Sequence, residues 1–159
     1  MHNDVKKEFM KEAIRLAGMN VENGNGGPFG AVIVRDNKII ATGFNRVTEI
    51  NDPTAHAEIV AIRNACSTLG TFDLTGCEIY SSCEPCPMCL GAILWARVDK
   101  LYYAADRHDA KAAGFDDELF YSEISLPPAK RKLFSEELEK EDAVGVFNKW
   151  INSQNKIAY

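Results

Sequence analysis

Hydrophobic positions in the first part of the chain follow two different spacings. Six apolar residues recur with a helical period and predict an amphipathic helix over residues 5–20: Phe9, Met10, Ala13, Ile14, Leu16 and Ala17. Two short apolar runs, 31–34 and 39–41, flank the turn-forming pair Asp36-Asn37. This second pattern predicts a β-hairpin directly after the helix.

The rest of the chain continues the alternation of helices and strands. The pattern predicts helices over 57–69 and 87–95 and strands over 78–81 and 100–104, with Pro87 in the first turn of its helix. Four apolar residues form a stripe on a last helix after the break at Pro127-Pro128: Val144, Phe147, Trp150 and Ile151. This order favours a three-layer α/β fold in which helices cover a sheet. We see no linker and expect one domain over residues 1–159.

Composition and charge narrow the function. The chain has 159 residues, and its 18 Lys and Arg against 23 Asp and Glu give a formal net charge of −5. A tight nucleic-acid binder normally carries a basic excess, so we expect no nucleic-acid partner. The N-terminus lacks an apolar signal core, and no apolar run approaches the roughly 18 residues that span a bilayer. We therefore expect a cytoplasmic protein without a membrane partner.

The cysteines suggest a metal site. The chain has five, and three of them lie between residues 83 and 89. Thiolate and imidazole are the ligands that zinc prefers, and Cys86, Cys89 and His56 supply three. Three protein ligands leave a fourth position for water, which is typical of a catalytic site. We therefore predict one catalytic Zn²⁺ in each subunit.

Glu58 follows His56 by two residues and can enter the same cavity without binding the metal. A carboxylate there can act as general acid and base, and His-x-Glu followed by Pro-Cys-x-x-Cys is typical of zinc nucleobase deaminases. Cys83 leaves an alternative open, because it also forms a Cys-x-x-Cys pair with Cys86. A structural zinc module is a second alternative, although it would need no carboxylate base.

The chain resembles the cytidine-deaminase-like superfamily, and within it the short bacterial guanine deaminases. The resemblance covers nearly the whole chain and depends on four stretches, 26–34, 51–58, 82–93 and 112–117, and on Tyr159. It implies a central mixed five-stranded sheet flanked by helices. It also implies hydrolysis of guanine to xanthine and ammonia.

The resemblance further implies roles for individual residues. Glu58 would move protons, and Asp117, or its neighbour Asp116, would assist at the leaving amine. Five residues would contact or enclose the base: Phe29, Asn45, Ala57 through its backbone N–H, Trp95 and Tyr159. The protein would form a homodimer in which a C-terminal segment, about 144–159, swaps onto the partner subunit.

Rival activities share the same zinc motif. A tRNA adenosine deaminase is the nearest alternative, but it must hold RNA against a positive surface. We predict that the last helix begins at Ser135 with an acidic run, which would repel phosphate. A cytosine, cytidine or guanosine deaminase is a further alternative, because spacing alone does not exclude a ribose.

Overall fold

A four-stranded mixed sheet organises the chain up to Asp117 in the computed structural model, which describes residues 2–159. The strands lie in the order β2-β1-β3-β4, with bounds β1 Gly30–Arg35, β2 Lys38–Phe44, β3 Cys77–Cys83 and β4 Lys100–Ala105. β1 pairs antiparallel with both β2 and β3, whereas β4 runs parallel to β3. The β1–β2 turn has positive φ at Asp36 and Asn37, as a tight hairpin requires.

Helices cover both faces of this sheet. Their bounds are α1 His2–Glu22, α2 Val47–Ile50, α3 Ala57–Leu69, α4 Pro87–Trp95 and α5 Arg107–Ala112. Side chains of β1 alternate between two cores: Val32 and Val34 pack on the side of α1, and Ala31 and Ile33 on the side of α3. The predicted three-layer α/β arrangement is therefore confirmed.

Helix α3 packs closely against strand β2. Ala57, Ala61 and Ala65 recur every four residues on one face of α3 and are fully buried. A Cβ atom at Gly43 would lie 2.3 Å from the Ala57 carbonyl oxygen and 2.5 Å from the Ala61 nitrogen, so this strand position requires glycine. The start of α3 is thus held directly against the sheet.

The second compact unit spans Glu118–Tyr159. It contains α6 Glu118–Ser125, a short 3₁₀ turn Pro128–Lys130 and α7 Lys140–Asn152. No residue of α6 or α7 is buried, although both carry large apolar side chains. Arg131 donates hydrogen bonds from Nε to the carbonyl oxygens of Glu123 and Leu126. This side chain therefore stabilises the end of α6 and the turn that follows it.

Two expectations were wrong. The sheet formed by residues 2–159 has four strands, not five, because after β4 the chain forms the short α5 and then leaves this unit at Asp117. A fifth parallel strand would need a longer crossover returning to β4. The last helix begins at Lys140 rather than Ser135, so much of the acidic run precedes it. No helix among residues 2–159 is long and apolar enough to cross a membrane.

Candidate active site

Two helix N-termini bring the predicted metal ligands together. His56 caps the N-terminus of α3 and Cys86 that of α4, both with extended backbone, and Pro87 opens α4. His56 Nδ1 lies 3.6 Å from Cys86 Sγ and 3.4 Å from Cys89 Sγ. All three ligand atoms lie within 4.8 Å of one another. Tetrahedral zinc with ordinary bond lengths separates a nitrogen and a sulfur ligand by about 3.6 Å, so this donor set fits the ion.

The electrostatics of the cluster favour a bound cation. Hydrogen bonds from the Cys89 thiol and His56 lower the pKa of Cys86 to about 4, so this sulfur is a thiolate at neutral pH. The same thiolate raises the pKa of His56 and, together with burial, that of Cys89. A metal ion among these groups would favour the loss of the remaining protons.

Cys83, the alternative ligand, lies at the end of β3 and outside this group of three. Its Sγ contacts the Asp106 carbonyl oxygen at 3.6 Å, and burial raises its pKa to about 11. Burial also raises the pKa of Cys66 and Cys77, which carry no ligand role. The structure thus brings Cys86 and Cys89, rather than Cys83, to His56.

Glu58 lies in the first turn of α3 and is 6% exposed. The Ser81 hydroxyl donates a 3.1 Å hydrogen bond to its Oε1 atom from the neighbouring strand β3. Burial raises the pKa of Glu58 above the ordinary range of a carboxyl group, and the bonds from Cys89 and Ser81 oppose this in part. A buried carboxyl group with a raised pKa beside a ligand cluster suits proton transfer.

Asn45 and Phe29 lie at adjoining ends of β2 and β1. Asn45 is buried, and its Oδ1 accepts hydrogen bonds from the backbone N–H groups of Gly27 and Val47. Because that oxygen already has two donors, the side chain offers a ligand mainly its Nδ2 donor. Phe29 is half-buried and meets Phe115 edge-to-face, with ring centroids 4.9 Å apart.

The remaining predicted residues fall into three different places. Ala57 is the first residue of α3, so its N–H belongs to the exposed donors of that helix start. Trp95 is 66% exposed at the far end of α4 from Cys86. Tyr159 ends the second unit and is 70% exposed.

The two neighbouring aspartates have different surroundings. Asp116 forms an exposed ion pair with Lys111 at 3.4 Å. Burial, the negative charge of Cys86 and that of Glu84 raise the pKa of Asp117, and Arg107 opposes this shift. The pKa of Asp117 is thus raised in part by the charge of a ligand-cluster residue, Cys86.

Sequence reasoning assigned no role to two polar residues that the fold brings to the site. Ser81 bonds Glu58, and Asn20 donates bonds to the carbonyl oxygens of Gly27 and Asn45. Two adjacent serines near the end of strand β3 were a signal for Ser81. Asn20 had no local signal, because its partners lie 7 and 25 residues away.

These features define a zinc-binding nucleobase or nucleoside deaminase domain. Residues 3–105 match the family model described as the cytidine and deoxycytidylate deaminase zinc-binding region. The chain belongs to this family.

Among individual relatives, guanine deaminase of Bacillus subtilis is 52% identical over 95% of this chain and 97% of its own length. Its crystal structure superposes with a TM-score of 0.94, 51% identity and coverage of 96% of this chain and 98% of that one. A tRNA-specific adenosine deaminase of Aquifex aeolicus is 45% identical over 63% of this chain and 66% of its own. A solved mutant protein in complex with 8-azaguanine matches with a TM-score of 0.65 and 40% identity, over 69% of this chain and 63% of that one.

Proposed function

We propose that this protein is a zinc-dependent guanine deaminase, which hydrolyses guanine to xanthine and ammonia. The observation that carries the proposal is the extent of the similarity to the Bacillus subtilis guanine deaminase, 52% identity over 95% of the chain. The Aquifex tRNA-specific relative matches only 63% of the chain. The acidic run over residues 135–142 would repel the phosphates of an RNA. The Arg131 side chain, a cation that could otherwise bind phosphate, donates from Nε to two carbonyl oxygens of its own unit. Both features fit a small base better than RNA.

His56, Cys86 and Cys89 would hold the zinc ion, which when bound supplies a Lewis acid that lowers the pKa of a water molecule. Glu58 takes the proton from the attacking water and delivers it to the ring nitrogen beside the amino-bearing carbon. Its raised pKa makes the carboxylate a better proton acceptor than an ordinary glutamate. Ser81 holds the carboxylate in place during this exchange.

Asp117 would assist the departure of ammonia. As the new carbonyl group forms, the added hydroxyl group must lose a proton and the exocyclic amine must gain one, and Asp117 would relay that proton so that ammonia leaves. Asp116 is engaged with Lys111 instead, and we therefore assign the role to Asp117.

Base recognition would combine stacking with one directed hydrogen bond. Phe29 offers an aromatic face for the flat purine, and its contact with Phe115 holds the ring. Asn45 Nδ2 would donate to a carbonyl oxygen or an unprotonated ring nitrogen of the base. The Ala57 N–H would donate at the start of α3.

A homodimer with an exchanged C-terminal segment accounts for the apolar surface. Large side chains on the second unit are exposed, among them Leu133, Phe134, Phe147, Trp150 and Ile151. A segment of about 40 residues is too short to bury such side chains by itself, so a second copy would cover them. The uncharged helix α4 exposes Met88, Leu90, Leu94 and Trp95, which offers a further face. Tyr159 would then close the partner's pocket, and Trp95 would lie at the interface between subunits.

An ammonia-release assay tests the substrate. It compares guanine, guanosine, cytosine, cytidine, adenine and an anticodon stem-loop, with metal content measured on the same preparation. We expect turnover of guanine at least a hundredfold above the others and about one zinc ion per chain. Faster release from the stem-loop or from a nucleoside would overturn the assignment.

Since the five cysteines are unpaired, we place the enzyme in a reducing compartment such as the cytoplasm.

A further inference from the structure

Asn20 lies where α1 ends and is 1% exposed. Its Nδ2 donates two hydrogen bonds, one of 2.8 Å to the Gly27 carbonyl oxygen and one of 2.9 Å to the Asn45 carbonyl oxygen. A single amide group thus ties the end of α1 to the loop 24–28 and to the end of β2. Both hydrogens of the amide are used, and the two carbonyl partners fix which way the amide points.

The same side chain carries a cost to stability. Asn20 Oδ1 is the one fully buried side-chain oxygen or nitrogen without a hydrogen-bond partner among the residues that the structure describes. An unsatisfied buried polar atom offsets part of the stability that the two donated hydrogen bonds contribute. Buried polar groups that break a local rule are expected at functional positions.

Asn20, Gly27 and Asn45 are joined by a chain of hydrogen bonds. The Gly27 carbonyl oxygen accepts from Asn20, while the Gly27 N–H donates to Asn45 Oδ1 at 3.3 Å. A Cβ atom at Gly26 would lie 2.5 Å from the Asn45 carbonyl oxygen, so the loop touches Asn45 closely. Loss of the Asn20 bonds would release the loop and the backbone of Asn45 together. The orientation of Asn45 Nδ2 would then no longer be fixed.

We propose that Asn20 is a positioning residue for substrate, which acts by holding Asn45 and the loop 24–28 so that Asn45 presents its Nδ2 donor to the base. This inference rests on the proposed base-binding role of Asn45. His56 directly precedes α3 and Glu58 lies in its first turn, and the hydrogen bonds of the Asn20 side chain go instead to Gly27 and Asn45. Asn20 therefore affects binding of the base rather than the proton transfers.

The test measures guanine kinetics, 8-azaguanine inhibition and zinc content for Asn20→Ala, Asn45→Ala and the double variant. We expect Asn20→Ala to raise KM and the inhibition constant about tenfold, with kcat within threefold and zinc unchanged. In the Asn45→Ala background the same change should add less than twofold, because the two residues act through one group. Asn64→Ala is the matched control, since it removes a 2.8 Å amide bond to the Thr42 carbonyl oxygen and should leave KM unchanged.

Asn20→Ser retains one donor and should give an intermediate KM, so it supplies the measurement if the alanine variant does not fold. Fully additive effects in the double variant, or an equal loss of kcat with unchanged KM, would overturn the role of Asn20. An unchanged KM in Asn45→Ala would instead refute the base-binding role of Asn45. Guanine turnover by the parent enzyme tests the proposed function separately.

Discussion

Ser81 on β3 donates a hydrogen bond of 3.1 Å to the buried Glu58 carboxylate on α3. The next residue, Ser82, points to the opposite face of the sheet, where its Oγ accepts a 3.0 Å bond from the Gly30 N–H. Two adjacent serines thus serve different purposes, and only the first contacts the proposed proton carrier.

Ser81→Ala should lower kcat about tenfold, because a hydrogen bond to a charged group orients the carboxylate that moves the proton. Zinc content should stay the same, since no metal ligand changes. Steady-state kinetics with metal analysis measure both. Ser82→Ala is the matched control and should reduce thermal stability while leaving kcat within twofold. Equal kcat values for the two variants would contradict the role of Ser81.

Asp117→Asn should lower kcat at least a hundredfold with zinc retained, because the proposed second proton carrier is lost. Asp116→Asn breaks only an exposed ion pair with Lys111 and should stay within threefold of the parent. Guanine turnover under saturating substrate compares the two variants. If Asp116→Asn loses more activity than Asp117→Asn, the assignment must be exchanged.

Gly43→Ala should lower the free energy of unfolding by about 3 kcal/mol or more, because the new methyl group would press on the backbone of α3. Gly18→Ala offers the contrast, because the added methyl group lies in α1 and meets no atom within 4 Å outside the backbone of its own helix, so it should stabilise by about 1 kcal/mol. Urea denaturation measures both changes. A Gly43→Ala variant as stable as the parent would mean that α3 can move away from β2 at little cost.

Coexpression of two inactive chains tests whether the C-terminal segment closes the partner's site. One chain carries Glu58→Ala with an intact C-terminus, and the other retains Glu58 but lacks residues 156–159. In a random mixture of exchanged dimers about a quarter of all sites would be complete, and activity should return to that level. Closure of each site by its own chain would give no recovery. Each variant expressed alone is the control.

Glu78 predicts a pH dependence of stability. The Glu78 carboxylate accepts a 2.8 Å hydrogen bond from Lys100 and another of 2.8 Å from Tyr80. These bonds, together with the charge of Lys100, lower its pKa. Because its pKa is lower in the folded state, the Glu78 carboxylate stabilises the folded protein at pH values above its unfolded pKa of about 4.3. This stabilisation is lost as the pH falls through the folded-state pKa. Glu78→Gln should therefore reduce the melting temperature at pH 7 but not near pH 3. Glu8→Gln, in an exposed pair with Lys11, should change little at either pH.

The periodic patterns were enough to locate most elements of the first unit. Helices α3 and α4 occupy the predicted ranges 57–69 and 87–95, because Pro87 marks the start of α4 locally and Gly70, in the left-handed conformation, ends α3. The acidic run from Ser135 predicted an early helix start wrongly, since charged residues with good helix propensity lie before α7 without joining it.

The sequence by itself determined the chemistry: one imidazole, two thiolates in Cys-x-x-Cys spacing and a carboxylate two residues from the histidine. These signals are local, so a single segment carries each of them. Only the tertiary structure decided which cysteine pair meets His56, that Ser81 bonds Glu58, and that Asn20 holds Asn45 across 25 residues. The number of strands was decided there too, because strand pairing depends on where the chain returns to the sheet. Contacts between distant segments follow from packing, which spacing along the chain does not encode.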